Sequence, residues 1–257
     1  MIQPDLEILP TAVPRTRLRA SDRDQMFDLL DHHFEGVTPT QFERDLSEKN
    51  WVILLNRSDG RLVGFSTLLA YQTSFEGQPV SVIYSGDTIV SPEAWGSTAL
   101  ARGWIGCVRE LRGSYPRGPY YWLLLTSGFR TYRFLPVFWR EFHPRFDAVM
   151  RPEQRRIRDH LAAERFGPTY DPTTGIVQFA HPQRLRGPLS TVPDGRGNDP
   201  HVSFFIAQNP GHAQGNELVC LTELSDENLT RAGRRMVMPI GAPAHAPSAP
   251  AEVFTAS

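Results

Sequence analysis

Three apolar, strand-like segments follow one another in the N-terminal half of the chain. They lie at 51–56, 61–72 and 80–90 and are rich in Val, Ile, Leu and aromatic residues, which favour β-strands. Asp59 and Gly60 stand between the first two segments, and Asp-Gly between apolar runs is a strong hairpin signal. The sequence therefore predicts three consecutive antiparallel strands, which restricts the chain to folds with a largely antiparallel sheet.

A helix and a further strand are predicted after these three strands. Apolar residues recur at helical spacing over 98–112, and the segment 120–127 has the apolar character of a buried strand. A strand, a crossover helix and a second strand in this order predict a parallel pair. Two further helices, at 22–34 and 39–49, are predicted ahead of the three antiparallel strands.

The C-terminal half contains fewer regular patterns. A helix is predicted at 152–166, and the apolar segments 201–210 and 217–224 are interpreted as two strands of a C-terminal hairpin. A short helix is predicted at 226–236. Between the helix predicted at 152–166 and this hairpin, the high density of Pro and Gly predicts loops.

We expect a single domain over residues 12–240. Its core is expected at 15–145, and the hairpin spanning 201–224 is expected to complete the sheet. The segment 241–257 is rich in Pro and Ala and carries one charge, which is typical of a disordered tail.

Composition excludes several classes of protein. Of the 257 residues, 40% are hydrophobic and 21% are charged, as in an ordinary globular domain. The longest apolar stretch, 120–125, is far shorter than the roughly 20 residues of a membrane-spanning helix, so no span is predicted. The N-terminal region lacks the pattern of a secretory signal, so we expect a cytoplasmic protein. Cys107 and Cys220 are expected to be buried free thiols, and no metal site is expected.

Charge is distributed unevenly along the chain. The formal charge is −6 over residues 1–101, +8 over 102–158 and −3 over 159–257. An arginine-rich middle segment suits a polyanionic partner such as a phosphorylated cofactor, an acidic carrier protein or nucleic acid. The alternative is a solvated face whose arginines pair with the acidic N-terminal third. Nucleic acid is the weakest of these partners, since no recognised binding motif accompanies the arginines.

This order of helices and strands resembles the GNAT superfamily of N-acyltransferases over residues 15–142. The resemblance implies an α/β fold with a mixed, mostly antiparallel sheet flanked by helices and followed by a loop-rich C-terminal extension. It also implies that an acyl-CoA diphosphate binds in the turn at 91–98, where backbone N–H groups at a helix N-terminus favour anions. This turn lacks the family's usual basic residue, and Glu93 and Trp95 take up space in it. A longer acyl donor or a phosphopantetheine-linked donor on an acyl carrier protein would need less of that diphosphate site.

The resemblance also implies positions for the donor and for the catalytic groups. Asp87 is a candidate general base or amine-binding carboxylate, and Tyr132 is a candidate acid for the leaving thiolate. A strand-end ion pair for Asp87 and a packing role for Tyr132 are the structural alternatives. The expected cofactor-binding residues are Thr88, Ile89, Val90, Trp95, Gly96, Ser97, Thr98 and Ser127.

The resemblance therefore implies an acyltransferase that moves an acyl group from a thioester donor directly to a small-molecule amine. A non-catalytic module that binds an acyl ligand, or regulates through one, is the alternative. The oligomeric state and the acyl length follow from none of these patterns.

Overall fold

The computed structural model describes residues 7–187, 195 and 197–237. The strands are β1 (Ile8–Pro14), β2 (Phe34–Glu35), β3 (Trp51–Arg57), β4 (Leu62–Phe75), β5 (Gln78–Val90), β6 (Tyr120–Thr126), β7 (Tyr170–Asp171), β8 (Ile176–Val177), β9 (Arg184–Leu185) and β10 (Glu217–Glu223). The α-helices are α1 (Ala20–His33), α2 (Pro39–Ser47), α3 (Ala99–Arg112), α4 (Phe129–Tyr132), α5 (Phe134–Phe138), α6 (Pro152–Phe166), α7 (Pro200–Gln208) and α8 (Arg231–Met236).

An eight-stranded sheet lies at the centre, in the order β1-β3-β4-β5-β6-β10-β8-β7. Strands β3, β4 and β5 form the predicted antiparallel run, and β5 pairs with β6 in parallel across the crossover helix α3. The predicted fold class is therefore confirmed. Strand β1 pairs with β3 at the edge of the sheet and begins at Ile8, ahead of the predicted domain boundary at residue 12.

Helices cover both faces of this sheet. Helix α3 packs on one face together with α4, α5, α7 and α8, around a core that contains Trp104, Trp122 and Trp139. The other face is covered by α1 and α2 over the β3–β4 end, and by α6 over β5, β6 and β10. Within the described part of the chain, no helix has the length and apolar composition that a bilayer span requires.

The predicted C-terminal hairpin is wrong. Residues 200–208 form helix α7, and β10 pairs with β6 and β8 instead of with a strand at 201–210. The side chain of Asp199 caps this helix by accepting a hydrogen bond from the backbone N–H of His201, and Pro200 occupies the first helical position. Val202 and Phe205 lie one helical turn apart, and both side chains are buried. Helical spacing therefore places the apolar side chains of this segment in the core.

The last predicted helix is shorter than expected. Helix α8 begins at Arg231 and is capped by Thr230, because residues 225–229 form a turn in which Asn228 hydrogen-bonds to β10 and to Glu141. The expected disordered tail at 241–257 lies outside the described residues.

Strands β5 and β6 separate in the middle of the sheet. Their parallel pairing ends at Ser85 and Leu124, whereas β5 continues to Val90. The register between β4 and β5 shifts at the same level, where β5 has one extra residue opposite Thr67. Such a bulge bends a strand away from its neighbour. The result is a gap between two strands that opens towards both faces of the sheet.

Candidate functional site

An apolar cavity of about 510 Å³ lies on the α3 face of this gap. Its walls come from the end of β5, the turn after it, the start of α3 and the segment α4–α5. Six of the expected cofactor-binding residues line it: Thr88, Ile89, Val90, Trp95, Ser97 and Thr98. Gly96 does not line this cavity, and a Cβ atom added there would meet open space, so the packing places no demand for glycine at this position.

Two residues of the turn bear on how it can hold an anion. Glu93 faces away from the cavity and forms an ion pair with Arg61, so its carboxylate does not occupy the donor side. The indole of Trp95 donates a hydrogen bond from Nε1 to the Val90 carbonyl at 2.8 Å. The guanidinium of Arg130 lies 4.1 Å from the centroid of the Trp95 ring, within the range of a cation–π contact. Arg130 also lines the cavity and supplies, from α4, a cation that the turn itself lacks.

The start of α3 is held by two hydroxyl groups. The Ser97 hydroxyl accepts a hydrogen bond from the Ala99 backbone N–H at 3.0 Å, and the Thr98 hydroxyl accepts one from Arg102 Nε at 3.1 Å. These bonds order the turn beside the cavity. The positive end of the α3 dipole therefore faces the donor side, which favours a phosphate group there.

A second cavity of about 380 Å³ lies on the opposite face and is polar. Asp87 and Ser127 line this cavity, so Ser127 is placed on this side of the sheet and not on the apolar side. Its other ionisable wall residues are Arg44, Asp45, Glu48, Lys49, Tyr84, Arg165, His181 and Glu217. Four residues line both cavities: Thr88, Gly128, Thr131 and Leu185. The apolar and polar cavities therefore meet at the gap between β5 and β6.

Asp87 is engaged in an ion pair at the wall of the polar cavity. Its Oδ2 accepts a hydrogen bond from the Thr67 hydroxyl at 3.1 Å and lies 3.9 Å from Lys49 Nζ. Lys49 is only 4% exposed and also donates a hydrogen bond to the Asp45 carbonyl at 3.1 Å. These contacts match the structural alternative for Asp87, a strand-end carboxylate balanced by a cation.

Glu217 is a second carboxyl group in the same cavity. Burial at the start of β10 raises its pKa to about 8; the Asp87 carboxylate adds to this shift, and Lys49 opposes it. Within the described residues, no group donates a hydrogen bond to this carboxyl and no cation lies in ion-pair contact with it. A carboxyl group with a pKa near neutrality in a cavity is a strong candidate for proton transfer.

Glu217 is not among the predicted site residues, although the sequence contains a signal for it. Side chains alternate along a strand, so Glu217 shares one face of β10 with Val219 and Leu221. Both of these apolar residues are buried under α6. A carboxyl group on the core-facing side of a strand needs either a partner or a function.

This carboxyl group makes the stability of the protein depend on pH. Because the pKa of Glu217 is raised to about 8 in the folded chain, the folded state holds a proton that the unfolded state releases above about pH 4.5. Stability is therefore lost as the pH rises from that value to about 8. We expect Glu217→Gln to match the unmodified protein at pH 5 and to melt about 5 °C higher at pH 9. Thermal unfolding followed by circular dichroism at both pH values checks this, and a difference that is the same at both would contradict it.

Tyr132 is placed in the core. It is fully buried, and its hydroxyl donates a hydrogen bond to the Pro144 carbonyl at 2.9 Å. The ring packs against Phe142, Phe204 and Phe205. Tyr132 lines neither cavity, so the structure does not bring it to the other candidate residues. In the described part of the chain, no group of three or more His, Cys, Asp or Glu residues could hold a metal ion.

Comparison with known proteins adds a family match. Residues 16–102 match the model of the acetyltransferase (GNAT) domain. Comparison with curated proteins finds no match.

Solved structures resemble the chain only at low similarity. A probable N-acyltransferase of Enterococcus faecalis has 17% identity and a TM-score of 0.38, over 52% of this chain and 33% of its own. A GNAT family N-acetyltransferase of Escherichia coli in complex with CoA has 13% identity and a TM-score of 0.38, over 52% of this chain and 71% of its own. A Trypanosoma brucei acetyltransferase has 16% identity and a TM-score of 0.39, over 56% of this chain and 100% of its own. The chain thus spans about a third of the Enterococcus protein, and none of these similarities bears on substrate.

The family match covers β3, β4, β5 and the start of α3, which build the apolar cavity and the bulged strand. The mixed, mostly antiparallel sheet and the helices that flank it agree with the fold that the resemblance implies. The match to the acetyltransferase (GNAT) domain thus covers residues 16–102, and over this part of the chain it agrees with the resemblance that the sequence predicts.

Proposed function

We propose that this protein is an N-acyltransferase that moves an acyl group from acyl-CoA directly to a primary amine. One observation carries the proposal: an apolar and a polar cavity enter the sheet from opposite faces and meet between β5 and β6. A thioester entering from one side and an amine entering from the other would come into contact at this junction. Direct transfer needs this arrangement, because holding both reactants in one geometry lowers the barrier.

The donor side suits the parts of an acyl-CoA molecule. Beyond Ser85, the described part of β5 has no strand partner on its β6 side, so its backbone can hydrogen-bond to an extended pantetheine arm. Leu55, Trp104 and Phe134 line the cavity and suit an apolar acyl group. Arg130 would contact the phosphate groups, because a guanidinium binds phosphate through two parallel hydrogen bonds.

The acceptor side suits one positive charge. In the polar cavity, Arg165 pairs with Glu48, and Lys49 lies beside Asp87. Arg44 lies 3.7 Å from Asp45. Once it ionises, Glu217 is the unbalanced charge of this wall, and a bound ammonium group would balance it and favour that ionisation. We infer that the acceptor is a primary amine without a carboxylate next to it.

Glu217 is the general base in this proposal. The ammonium group gives one proton to the Glu217 carboxylate and becomes a neutral amine. The amine nitrogen attacks the thioester carbonyl, so that a C–N bond forms. The C–S bond then breaks with its electron pair on sulfur, and the second nitrogen proton passes to the thiolate, which leaves as free thiol.

The carrier-protein donor has less support than free acyl-CoA. Many arginines of the basic segment are paired within the chain itself, although mostly with acidic residues outside the N-terminal third that the structural alternative named. These pairs are Arg109–Asp226, Arg133–Asp199, Arg145–Asp147, Arg156–Glu76 and Arg158–Asp159. Arginines engaged in this way offer less positive charge to an acidic carrier.

The test begins with donor binding. Isothermal titration with acetyl-CoA, octanoyl-CoA and CoA measures affinity in the unmodified protein, in Arg130→Ala and in the control Arg140→Ala. Arg140 is exposed and lies outside both cavities. We expect Arg130→Ala to weaken binding about tenfold, a loss of about 1.4 kcal/mol, and Arg140→Ala to leave it unchanged.

Turnover is measured next, as thiol release in the presence of a panel of primary amines. Release that depends on the amine supports the proposed activity. Donor binding without release for any amine would favour the alternative, a non-catalytic module that binds an acyl ligand. Absence of binding to every CoA species would remove free acyl-CoA as the donor.

A further inference from the structure

Tyr84 is a tyrosine of the polar cavity that is not among the predicted site residues. It lies on β5, is 6% exposed and lines the cavity together with Glu217. Its ring is held by two cations: Lys49 Nζ lies 5.3 Å from the ring centroid, and the Arg165 guanidinium lies 5.0 Å from it. Phe166 packs edge-on at 5.6 Å. The ring therefore has little freedom to turn away from the cavity.

The hydroxyl of Tyr84 occupies the space where Gly86 has no side chain. A Cβ atom at Gly86 would lie 2.7 Å from the Tyr84 hydroxyl oxygen and 3.2 Å from the ring carbon that bears it. Gly86 lies at the bulge of β5, one residue past the last residue paired with β6. The absence of a side chain therefore lets a phenol hydroxyl reach the point at which the two strands separate.

This hydroxyl stays protonated and has no assigned role. Burial, followed by the nearby Glu217 carboxylate, raises the pKa of Tyr84 well above 10. Among the described residues, no hydrogen-bond partner of the hydroxyl is present. A protonated phenol can accept one hydrogen bond and donate another, so it can connect two groups that exchange a proton.

We propose that the Tyr84 hydroxyl, held over Gly86, is a catalytic group that accepts a hydrogen bond from the acceptor amine and donates one to the Glu217 carboxylate. This inference rests on the proposed acyl transfer and names a second residue for it. In the proton-transfer step, the ammonium passes a proton to the Tyr84 oxygen as the phenol proton moves to Glu217. The nitrogen loses one proton, Glu217 gains one, and Tyr84 ends unchanged.

The first test compares two tyrosine variants. Tyr84→Phe removes only the hydroxyl and is expected to lower kcat on the order of 10²-fold without changing the KM for the donor. Tyr71→Phe is the matched control, because the Tyr71 hydroxyl on the neighbouring strand β4 is also buried without a partner but lines neither cavity. We expect Tyr71→Phe to retain the activity of the unmodified protein.

The second test uses Gly86. Gly86→Ala places a methyl group where the hydroxyl lies and is expected to lower kcat by a similar factor. In the Tyr84→Phe background the hydroxyl is already absent, so adding Gly86→Ala is expected to change kcat less than about threefold. Such a double-mutant cycle separates the effect of displacing the hydroxyl from the effect of a changed backbone conformation at Gly86. Additive losses would overturn the role of the hydroxyl.

A third measurement does not depend on turnover. Once Glu217 ionises, we expect the Tyr84 hydroxyl, which has no other partner in the described part of the chain, to donate a hydrogen bond to this carboxylate and to lower its pKa. Removal of the hydroxyl should therefore raise the pKa of Glu217. We expect the carboxyl ¹³C resonance of Glu217 to titrate at a higher pH in Tyr84→Phe and at an unchanged pH in Tyr71→Phe. An unchanged midpoint in Tyr84→Phe would overturn the inference, even if the transfer activity is found. A protein inactive with every donor and amine would contradict the proposed function instead, whatever the titration gives.

Discussion

Glu217→Gln is expected to lower kcat/KM for amine acylation by about 10²- to 10⁴-fold, the usual contribution of a general base. Gln keeps the shape of the side chain and its place at the start of β10, but it cannot take a proton from the ammonium. Donor affinity should not change, because Glu217 lines the polar cavity and not the apolar one. Thiol release measured at saturating donor and varied amine separates the two effects.

The pH profile gives an independent check of this role. Because the base must be unprotonated, and the pKa of Glu217 is raised to about 8, kcat/KM should rise as the pH increases through about 8. The amine also loses its proton as the pH rises, so the comparison is made between proteins with one amine. In Glu217→Gln the step near pH 8 should disappear, whereas the rise caused by the amine should remain.

Glu223→Gln is the matched control. Glu223 lies on the same strand and faces the same way, but it is exposed at the far end and lines neither cavity. Its activity and pH profile should equal those of the unmodified protein. A Glu217→Gln variant that is as active as Glu223→Gln would contradict the assignment of the base.

The largest expected effect on stability is that of Gly118→Ala. Gly118 precedes β6 with a φ of +63°, and a Cβ atom there would overlap the Pro79 carbonyl oxygen on β5. The hydrogen bond from the Ser81 N–H to the Pro119 carbonyl, 3.0 Å long, starts the pairing of β5 with β6 at this point. Relief of the overlap must move one of these strands. We expect a loss of about 4 kcal/mol of unfolding free energy and a fall in Tm of about 10 °C.

Gly60→Ala separates the two causes of this loss, which are the backbone strain at a positive φ and the steric overlap with Pro79. Gly60 also has a positive φ, of +89°, but a Cβ atom there meets nothing within 4 Å. Its replacement should therefore cost only the backbone strain, about 1 kcal/mol. Equal losses for the two variants in urea unfolding would show that the contact with Pro79 does not matter.

The fold could be predicted where local patterns and tertiary structure agree. This holds for the three strands at 51–90 and for the crossover helix. For each of them, the turn residues, the spacing of apolar residues and the length of the segment all favour the observed type of element. The strand predicted at 201–210 is wrong because an apolar, aromatic segment of this length suits either a strand or a buried helix. The Asp199-Pro200 pair before it was the deciding helix-start signal.

The site was predicted less completely than the fold. Most of the donor residues could be placed, because they are contiguous in sequence along β5 and the turn after it. The acceptor side is assembled from α2, β5, the segment after β6 and the start of β10, which are distant in sequence. Glu217 and Asp87 line the same cavity only because of the order of strands in the sheet. Local sequence spacing carries no information on that order.

The chain has one lysine, Lys49, and it is 4% exposed in the wall of the polar cavity. Lysine side chains on a protein surface react slowly with thioesters without any enzyme, and this protein offers none of them. Self-acylation of a lysine can therefore occur only within the cavity. An acyl group found by mass spectrometry on the peptide that contains Lys49 would report that a thioester had reached the acceptor side, and it would do so without knowledge of the natural amine.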